Sequence, residues 1–476
     1  MTRQLCFGIL LLGVAGGMGC ATTSTTVSAD LVPPPQPLRT EVVELTRALV
    51  RAQPVNPPGD EKRAVDVLQQ RLESAGITVD VHDVEPGRPN LLARIGPSSA
   101  TSGQGIVLLC HTDVVPVERD KWTAPPFDAV VRDGWMYGRG VVDMLGMCAM
   151  ETEALIALAA QQDQLQREVM LLAVIDEEVT GKGILDAIRR WPEVAQAEWA
   201  VGEASYIVDG ALKEGETVAA INVAEKGLFQ FRLRTQGPAG HGSQPPRNAS
   251  TVRLMRAVQN VVDLDDPLHM TPTVKDMMGA LGSQRGGAAG FVMTQPWLLQ
   301  QVGRSTLESD EARVLVHNTC ALTRLDAGYK TNVVPTDASA VFDCRLLPGT
   351  SPSAFRDRVL LAIDDPKVEL DVIQAVASSS SPSDDLFVDV VRSQLKHEMP
   401  DVRVIPYLSR GFSDLTYLRQ KGVKGYGLIP LQLPAEVLKS IHGHDERAPV
   451  VELEKGTQRL YDWLRVLAVH PLSADK

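Results

Sequence analysis

Several features that mark common protein classes are scarce in this sequence. Lys and Arg number 47 against 59 Asp and Glu, which gives a formal net charge of −12, and no basic stripe is present. This charge argues against a nucleic-acid partner and against an acidic membrane surface. The 6 cysteines show no paired short spacing, so neither a disulfide framework nor a zinc knot is indicated. Cys110 and Cys344 lie inside apolar runs, and we expect them to be small buried residues.

The sequence also lacks a hydrophobic segment long enough to span a bilayer. Residues 5–19 are apolar but too short; a basic residue precedes them and Cys20 ends them, which predicts a secretory signal peptide over residues 1–20. The small residues before Cys20 are typical of a bacterial lipoprotein cleavage site. Residues 21–37, rich in Thr, Ser and Pro, then form a flexible tether. We expect export across the inner membrane to the cell envelope, with a lipid anchor at Cys20 as the membrane attachment; simple secretion is the alternative.

What the sequence does contain is a series of motifs that carry histidine and acidic residues. The chain has 476 residues, of which 44% are hydrophobic and 22% charged, as is ordinary for a globular enzyme. A catalytic divalent metal prefers imidazole nitrogen and carboxylate oxygen, and two metals held about 3.5–4 Å apart need one shared carboxylate and two private ligands each. Five residues supply that inventory, and a sixth, Glu177, is left over as a general base. The five candidate ligands are His111, Asp143, Glu178, Glu203 and His442.

Local sequence places the first two ligands at the ends of elements. Five apolar residues precede His111, so we expect it to end a buried strand and to share a strand face with Asp113. The Asp113 carboxylate would then accept the second N–H of the imidazole. Asp143 follows two glycines and begins an apolar helical run, where an anion is favoured. Taken singly, a structural histidine and a helix cap are the commoner roles for His111 and Asp143.

The remaining ligands follow further apolar runs or lie in a polar loop. Residues 169–175 are the clearest buried parallel-type strand, and the triplet Asp-Glu-Glu that contains Glu177 follows directly. Three consecutive acids repel one another unless a positive charge lies among them, although a solvated loop could carry such a run. Glu203 is expected to end a second short strand in the same way. Before the C-terminal helix, composition alone leaves His442 and His444 as equal candidates.

Together these motifs resemble those of the M20 family of metallopeptidases and deacylases, which includes glutamate carboxypeptidase, carboxypeptidase S and aminoacylase. The similarity covers about residues 40–470 through the ordered motifs His-x-Asp-x-Val-Pro, Tyr-Gly-Arg-Gly-x-x-Asp, Asp-Glu-Glu, Gly-Glu, Gly-His-x-Ser-x-Pro and His-Gly-x-Asp-Glu. The resemblance implies that Asp143 bridges two metals, and it selects His442 over His444. It also implies the private ligands of each metal: His111 and Glu203 for one, Glu178 and His442 for the other.

The resemblance implies further roles near the metals. Glu177 is the general base, and Asp113 is the partner behind the metal-binding histidine. His241 becomes a lid histidine that donates to the oxyanion, in many relatives from the neighbouring subunit of a dimer. Local sequence alone would also fit a loop that leads His241 into a helix. A cis peptide between Asp143 and Met144 is implied as well.

Substrate contacts are implied at three positions. Arg345, in the segment Asp-Cys-Arg-Leu-Leu-Pro-Gly, matches an arginine that contacts a substrate carboxylate in several family members. Asn332 and Ser413 match segments that line the same pocket. A small peptide or an N-acyl amino acid is therefore the expected substrate.

The order of the elements predicts two units. Alternating strands and helices predict an α/β catalytic domain with a doubly wound mixed sheet, formed by residues 38–218 and 340–470. Between them, residues 219–339 are expected to form an inserted α+β lid or dimerisation domain that carries His241, and the resemblance allows a homodimer.

The expected function is metal-dependent hydrolysis of an amide bond by a metal-bound hydroxide, in an exopeptidase, a carboxypeptidase or a dipeptidase. The expected cofactors are two divalent ions, Zn²⁺ first and Co²⁺ or Mn²⁺ as alternatives. A dedicated N-deacylase is the alternative within the enzyme class. A non-catalytic envelope lipoprotein that binds peptide or metal is the alternative outside it, although such a protein has no need of Glu177.

Overall fold

A computed structural model describes residue 38, residues 40–98 and residues 104–469 of the chain. The predicted signal peptide, its Cys20 and the predicted tether lie outside the described residues. Within the described part, no helix combines the length and the apolar character needed to cross a membrane.

Strands and helices alternate through most of the chain. The strands are β1 Val79–Glu85, β2 Arg88–Ile95, β3 Ile106–His111, β4 Val130–Arg132, β5 Trp135–Tyr137, β6 Val169–Val174, β7 Trp199–Asp209, β8 Thr217–Glu225, β9 Gly227–Gln236, β10 Gly240–His241, β11 Thr319–Ala327, β12 Val333–Val334, β13 Asp337–Leu346, β14 Val368–Val376, β15 Ser379–Ser380, β16 Arg403–Ser409, β17 Lys424–Pro434 and β18 Arg447–Pro449. The helices are α1 Val42–Ala52, α2 Lys62–Ser74, α3 Leu145–Ala159, α4 Lys182–Arg190, α5 Ser250–Val262, α6 Pro272–Arg285, α7 Gly287–Thr294, α8 Pro296–Val302, α9 Arg304–Leu307, α10 Asp310–Val316, α11 Pro352–Ile363, α12 Leu386–Glu398, α13 Leu415–Arg419 and α14 Val450–Val469.

A large mixed sheet forms the centre of the catalytic domain. Its strand order is β1-β2-β6-β3-β7-β17-β8-β15, with β16 paired to β8. The inner strands β6, β3, β7 and β17 run parallel, and β3 and β6 are buried along their whole length. Such continuous apolar strands need helices on both faces. Helices α1, α2, α3, α12 and α14 cover one face, and α4 and α13 cover the other, which confirms the predicted fold class.

A second, smaller sheet builds the inserted unit. Its four antiparallel strands lie in the order β11-β13-β9-β14, and α5 and α11 pack on one face around a separate apolar core. Lys226 alone separates β8 of the large sheet from β9 of the small one, and residues 377–378 lead from β14 to β15. The predicted boundaries at 218/219 and 339/340 fall inside β8 and β13. Sequence pattern locates a strand but does not say which sheet it joins, so we place the insertion between Lys226 and residue 378.

Two disulfides overturn the expectation for the cysteines. Cys110 of β3 is bonded to Cys148 of α3, and Cys320 of β11 is bonded to Cys344 of β13. Cys110 and Cys344 are fully buried as expected, but neither is a free thiol. The partners lie 38 and 24 residues apart, so no short spacing marks them. Packing of α3 on β3 and the cross-strand register of β11 with β13 bring each pair together.

Candidate metal centre

His111 lies at the carboxyl end of β3, where the predicted strand ends. Its Nε2 is 3.3 Å from Asp143 Oδ1, and its side chain is 2% exposed. The Nδ1 atom is 2.9 Å from the backbone oxygen of Asp113, whereas the nearer carboxylate oxygen of Asp113 is 3.6 Å away. The ring is therefore oriented mainly by a backbone carbonyl, which corrects the expectation that the carboxylate accepts this proton. A ring held in this way points its Nε2 toward Asp143.

The Asp113 carboxylate instead holds the turn that carries Glu177 and Glu178. Its two oxygens accept the backbone N–H groups of these residues, each at 3.2 Å. The side-chain amide of Asn56 donates to Asp113 Oδ2 at 2.9 Å and to Asp176 Oδ1 at 3.0 Å. Asn56 is buried, and sequence analysis missed it because nothing in its local sequence marks its partners. The turn after β6 is thus fixed by two aspartates and one amide.

Asp143 lies between the two histidines. It precedes α3, as predicted, and the Asp143–Met144 peptide is cis, also as predicted. His442 Nε2 is 3.1 Å from Asp143 Oδ2 and 3.1 Å from Glu178 Oε2. His444 is exposed, and its electrostatic neighbour is Glu118. The structure therefore brings His442, and not His444, to the cluster, and it places the Asp143 carboxylate between the two histidines.

Glu203 belongs to the same cluster but reaches it differently from the prediction. It lies inside the long strand β7 and does not end it. The parallel pairing with β17 is irregular beside it, between Gly427 and Ile429, and Ala204 adopts a positive φ of 88°. This irregularity turns the Glu203 side chain toward the ligands. Metal-ligand atoms lie within 4.8 Å of one another in two groups, which are His111 with Asp143 and Glu178, and His111 with Glu177 and Glu203.

The electrostatics of the cluster favour positive charge at its centre. Burial, followed by the charge of Glu203, raises the pKa of Glu177; burial, followed by the charge of Asp143, raises the pKa of Glu203. Hydrogen bonds to Asp143 and then to Glu178 raise the pKa of His442 to about 10. Burial alone would raise the pKa of Asp143, but the hydrogen bonds from the two histidines outweigh it and lower that pKa. A bound cation would take the place of the protons on these carboxyl and imidazole groups, so the cluster is a donor set that fits divalent cations.

The structure places two of the predicted lid residues together. His241 in β10 pairs with Val333 in β12, and the Asn332 carbonyl accepts the N–H of Gly242 at 2.9 Å. His241 is exposed, and its Nδ1 is 2.7 Å from the Ser243 hydroxyl. Both predicted residues thus lie on one ribbon of the inserted unit, whereas the metal ligands lie on the large sheet and its loops.

Arg345 and Ser413 are already engaged within the protein. Arg345 Nε donates to Asp343 Oδ1 at 2.8 Å, and its Nη2 is 3.3 Å from Asp343 Oδ2. Ser413 is 1% exposed, and its hydroxyl donates to Glu225 Oε1 at 2.6 Å. Arg345 is one-third exposed, and its Nη1 has no hydrogen-bond partner among the described residues, so its role in substrate binding stays a prediction. Ser413 belongs to a buried network around Glu225 that local sequence did not indicate.

Two histidines and three carboxylates gathered on the parallel strands and their loops, together with one further, partly buried glutamate, define a metal-dependent hydrolase. The chain belongs to peptidase family M20/M25/M40, whose family model matches residues 107–466. It is 27% identical over 376 residues to the mouse N-fatty-acyl-amino acid synthase/hydrolase PM20D1, a match that covers 77% of this chain and 75% of that protein. It is 27% identical over 355 residues to probable carboxypeptidase S-like 2 of Dictyostelium discoideum, which covers 72% and 68% of the two chains.

The same fold is found in a solved structure. The M20 family metallo-carboxypeptidase Sso-CP2 from Sulfolobus solfataricus superposes with a TM-score of 0.70 at 18% identity, over 90% of this chain and 100% of that chain. These matches confirm the predicted family, the predicted fold and metal-dependent amide hydrolysis. The alternative of a non-catalytic binding lipoprotein receives no support from them.

Proposed function

We propose that this protein is an envelope hydrolase with two zinc ions that removes the acyl group or the terminal residue from N-acyl amino acids or small peptides. The observation that carries the proposal is the meeting of five ligands and a sixth carboxylate, Glu177, at one edge of the large sheet. Six such groups exceed what a metal-binding protein without catalysis requires. The sixth therefore has a chemical role.

We assign the metal ligands from these positions together with the family motifs; Glu177 also lies with His111 and Glu203, and we assign it to proton transfer instead. Asp143, between both histidines, would be shared; His111 with Glu203 and His442 with Glu178 would be the private ligands. When bound, such ions supply Lewis-acid polarisation of the amide carbonyl and make a nearby water more acidic. Because imidazole and carboxylate together suit zinc, cobalt and manganese, the choice of zinc follows the usual preference of such sites.

Glu177 is the residue to which we assign proton transfer. Its backbone is fixed by Asp113, and burial raises the pKa of its carboxyl, so the group holds a proton more readily than an exposed glutamate does. A base with this property takes the proton of the attacking water and returns it to the leaving amine. When the amide bond breaks, the same side chain has thus both accepted and donated the proton.

The substrate class follows from the relatives and from Arg345. One relative is a hydrolase of N-fatty-acyl amino acids and another a probable carboxypeptidase, and both substrate types carry a free carboxylate. The planar fork of Arg345 is suited to such a group. We therefore propose substrates with a free carboxylate next to the scissile amide.

We further propose a homodimer, export and a lipid anchor at Cys20. Strand β11 is an edge of the small sheet and is exposed along most of its length, a surface suited to pairing with a second copy. The two disulfides support an oxidising compartment.

In a dimer, His241 of one subunit would donate to the oxyanion in the other. Mixed dimers of inactive His241→Ala and inactive Glu177→Ala chains should then regain part of the activity, and proven subunit exchange without recovery would contradict this arrangement.

The test of the function is a substrate panel combined with metal analysis. Metal-loaded protein is assayed on dipeptides, N-acetyl amino acids and long-chain N-acyl amino acids. Glu177→Gln should keep two metal equivalents and lose about 10²–10⁴-fold in kcat. Glu178→Gln should lose one metal. Two bound metals with no turnover on any member of the panel, or identical behaviour of the two variants, would contradict the proposal.

A further inference from the structure

Two of the proposed metal ligands lie on loops that are far apart in sequence and are joined by a buried ion pair. Asp143 ends the loop between β5 and α3, and His442 lies in the loop before β18. Arg139 comes from the first loop and Glu446 from the second. Arg139 Nη1 donates to Glu446 Oε2 at 2.6 Å, and the two side chains are 2% and 0% exposed. The pair is therefore shielded from water. In such a buried position, a charge without its partner lowers the stability of the fold.

The Glu446 carboxylate also accepts hydrogen bonds from the backbone of the first loop. Its Oε2 accepts the N–H of Gly140 at 3.0 Å, in addition to the guanidinium of Arg139. Its Oε1 accepts the N–H of Val142 at 2.8 Å and the N–H of Asp143 at 3.1 Å. All four partners are donors, so only a group that accepts at both oxygens satisfies them. The last of them is the backbone of the proposed bridging ligand.

The same pair also fixes the second loop. Arg139 Nη2 donates to the Gly443 carbonyl at 2.8 Å, beside His442. Gly138 N donates to the backbone carbonyl of Glu446 at 2.9 Å. His442 and Asp445 adopt positive φ values of 57° and 55°, a path that an unsupported loop of non-glycine residues seldom keeps. Both ligand loops are thus held as one unit.

We propose that Glu446, together with Arg139, is the positioning pair that sets the metal affinity of this centre. This inference rests on the proposed function, because it concerns the same metals. One metal site takes both Asp143 and His442 from the paired loops, while the other takes only Asp143 from them. Loss of the pair should therefore weaken the site of Glu178 and His442 more than the site of His111 and Glu203.

The experiment replaces Glu446 by glutamine in the full chain. Glutamine turns one acceptor oxygen into an NH₂ donor that faces N–H donors, while the volume hardly changes. Zinc affinity, measured by competition with a chromophoric chelator, should fall about 10–100-fold for one equivalent and less for the other, as is usual when a partner behind a ligand is lost. Because Glu446 and Arg139 are buried and bonded to the two loops, we expect them to act through the metals, so activity should return when zinc is raised to saturation.

A matched control comes from another buried ion pair. Glu153 is 2% exposed and receives Arg71 Nε at 2.6 Å and Nη2 at 2.9 Å, away from the metal loops. Glu153→Gln should lower the melting temperature without changing zinc affinity. Glu446→Asp and Arg139→Lys are milder changes in the proposed pair, and both should shift zinc affinity in the same direction as Glu446→Gln.

The outcomes separate this inference from the proposed function. Zinc affinities that match the wild type in Glu446→Gln, or in both milder variants if Glu446→Gln does not fold, would overturn the positioning role. A variant that stays inactive when zinc is raised to saturation would also overturn it. The residue would then act in turnover itself and not only through metal affinity. A wild-type protein that binds no zinc would instead remove the proposed function and leave the ion pair as a purely structural feature.

Discussion

Cys110 is bonded to Cys148, and this disulfide ties the strand that ends in His111 to the helix that begins just after Asp143. Both cysteines are fully buried, and their Cα atoms are 5.4 Å apart. The elements that carry two of the proposed metal ligands are thereby connected by a covalent bond as well as by packing.

Removal of this disulfide should weaken both the fold and the metal centre. Cys148→Ala should lower the free energy of unfolding by about 2–4 kcal/mol, because the unfolded chain loses a cross-link that closes a loop of intermediate length. Zinc affinity should fall as well. Denaturant unfolding of the zinc-free protein and chelator competition measure the two effects separately.

The second disulfide supplies the control. Cys320→Ala opens the bond between β11 and β13 of the small sheet, so it should lower stability without a change in zinc affinity. Equal zinc affinities for Cys148→Ala and the wild type would show that packing alone fixes His111 against Asp143. Mass spectrometry after alkylation checks that both bonds form in the purified wild type.

Asn56 is a second point on which the site depends. Its amide donates one hydrogen bond to Asp113 and one to Asp176, the two carboxylates beside the turn that carries Glu177. Asn56→Ala leaves these carboxylates without the shared donor, and the turn should shift. We expect kcat to fall by up to about 10²-fold, the effect of a misplacement of about 1 Å, while zinc content stays near two equivalents.

Steady-state kinetics and elemental analysis of Asn56→Ala test this prediction. Asn222→Ala is the matched control, because Asn222 is also a fully buried amide but bonds to Arg419 and not to the turn. It should lose stability with little change in kcat at a temperature where it is folded. A similar fall in kcat in both variants would contradict a specific role for Asn56.

Arg345 offers a test of substrate recognition. In the structure its guanidinium faces Asp343, two residues earlier on the same strand face. A substrate carboxylate must therefore compete with Asp343 for the same donors. Asp343→Asn should lower KM for free-acid substrates by up to about fivefold, the scale of a partly exposed ion pair.

The comparison needs a substrate pair that differs only in the carboxylate. The wild type should prefer a free acid to its amide in kcat/KM, Asp343→Asn should prefer it more strongly, and Arg345→Ala should lose the preference. An undiminished preference in Arg345→Ala would remove this residue from recognition. An unchanged KM in Asp343→Asn would show that the ion pair does not compete with substrate.

The parts of the site that sequence predicted are those that local pattern marks. His111 and Asp143 follow or precede long apolar runs, and these runs became β3 and α3 almost to the residue. The choice between His442 and His444 came from the family motif, and the position of His442 beside Asp143 and Glu178 agrees with it. Local pattern was sufficient for His111 and Asp143, whereas His442 also needed the family motif.

The parts that sequence missed depend on contacts between distant segments. Asn56 and Glu446 act on residues 57 and about 300 positions away, so no local pattern points to their partners. The disulfides have the same property. The stretch before β11 is rich in glycine and methionine, which marks no clear helix, yet it forms helices α6 to α10. Its buried side chains pack against β8 and β16 of the large sheet.

Helix α3 contains a last pair of acids with opposite environments. Both Glu151 and Glu153 are buried, but Glu153 is bonded to Arg71, whereas neither carboxylate oxygen of Glu151 has a hydrogen-bond partner in the part of the chain that the structure describes. Burial raises the pKa of Glu151 well above its usual 4.5. A carboxyl whose pKa is higher in the folded state than in the unfolded state does not lower the free energy of unfolding at pH values below its unfolded pKa. The loss of stability begins near pH 4.5 and grows as the pH rises.

Glu151→Met should therefore stabilise the protein, and the gain should depend on pH. Methionine is unbranched, favours helices and needs no hydrogen bond, so the free energy of unfolding should rise by about 1–3 kcal/mol near pH 7.5 and by less near pH 4.5. Glu153→Met, two residues along the same helix, should destabilise at neutral pH because it removes the carboxylate that accepts the hydrogen bonds of Arg71. Urea unfolding of the three proteins at both pH values measures these differences. If Glu151→Met were as destabilising as Glu153→Met, or if its gain were larger at pH 4.5 than at pH 7.5, Glu151 would have to be ionised and stabilising in the folded protein.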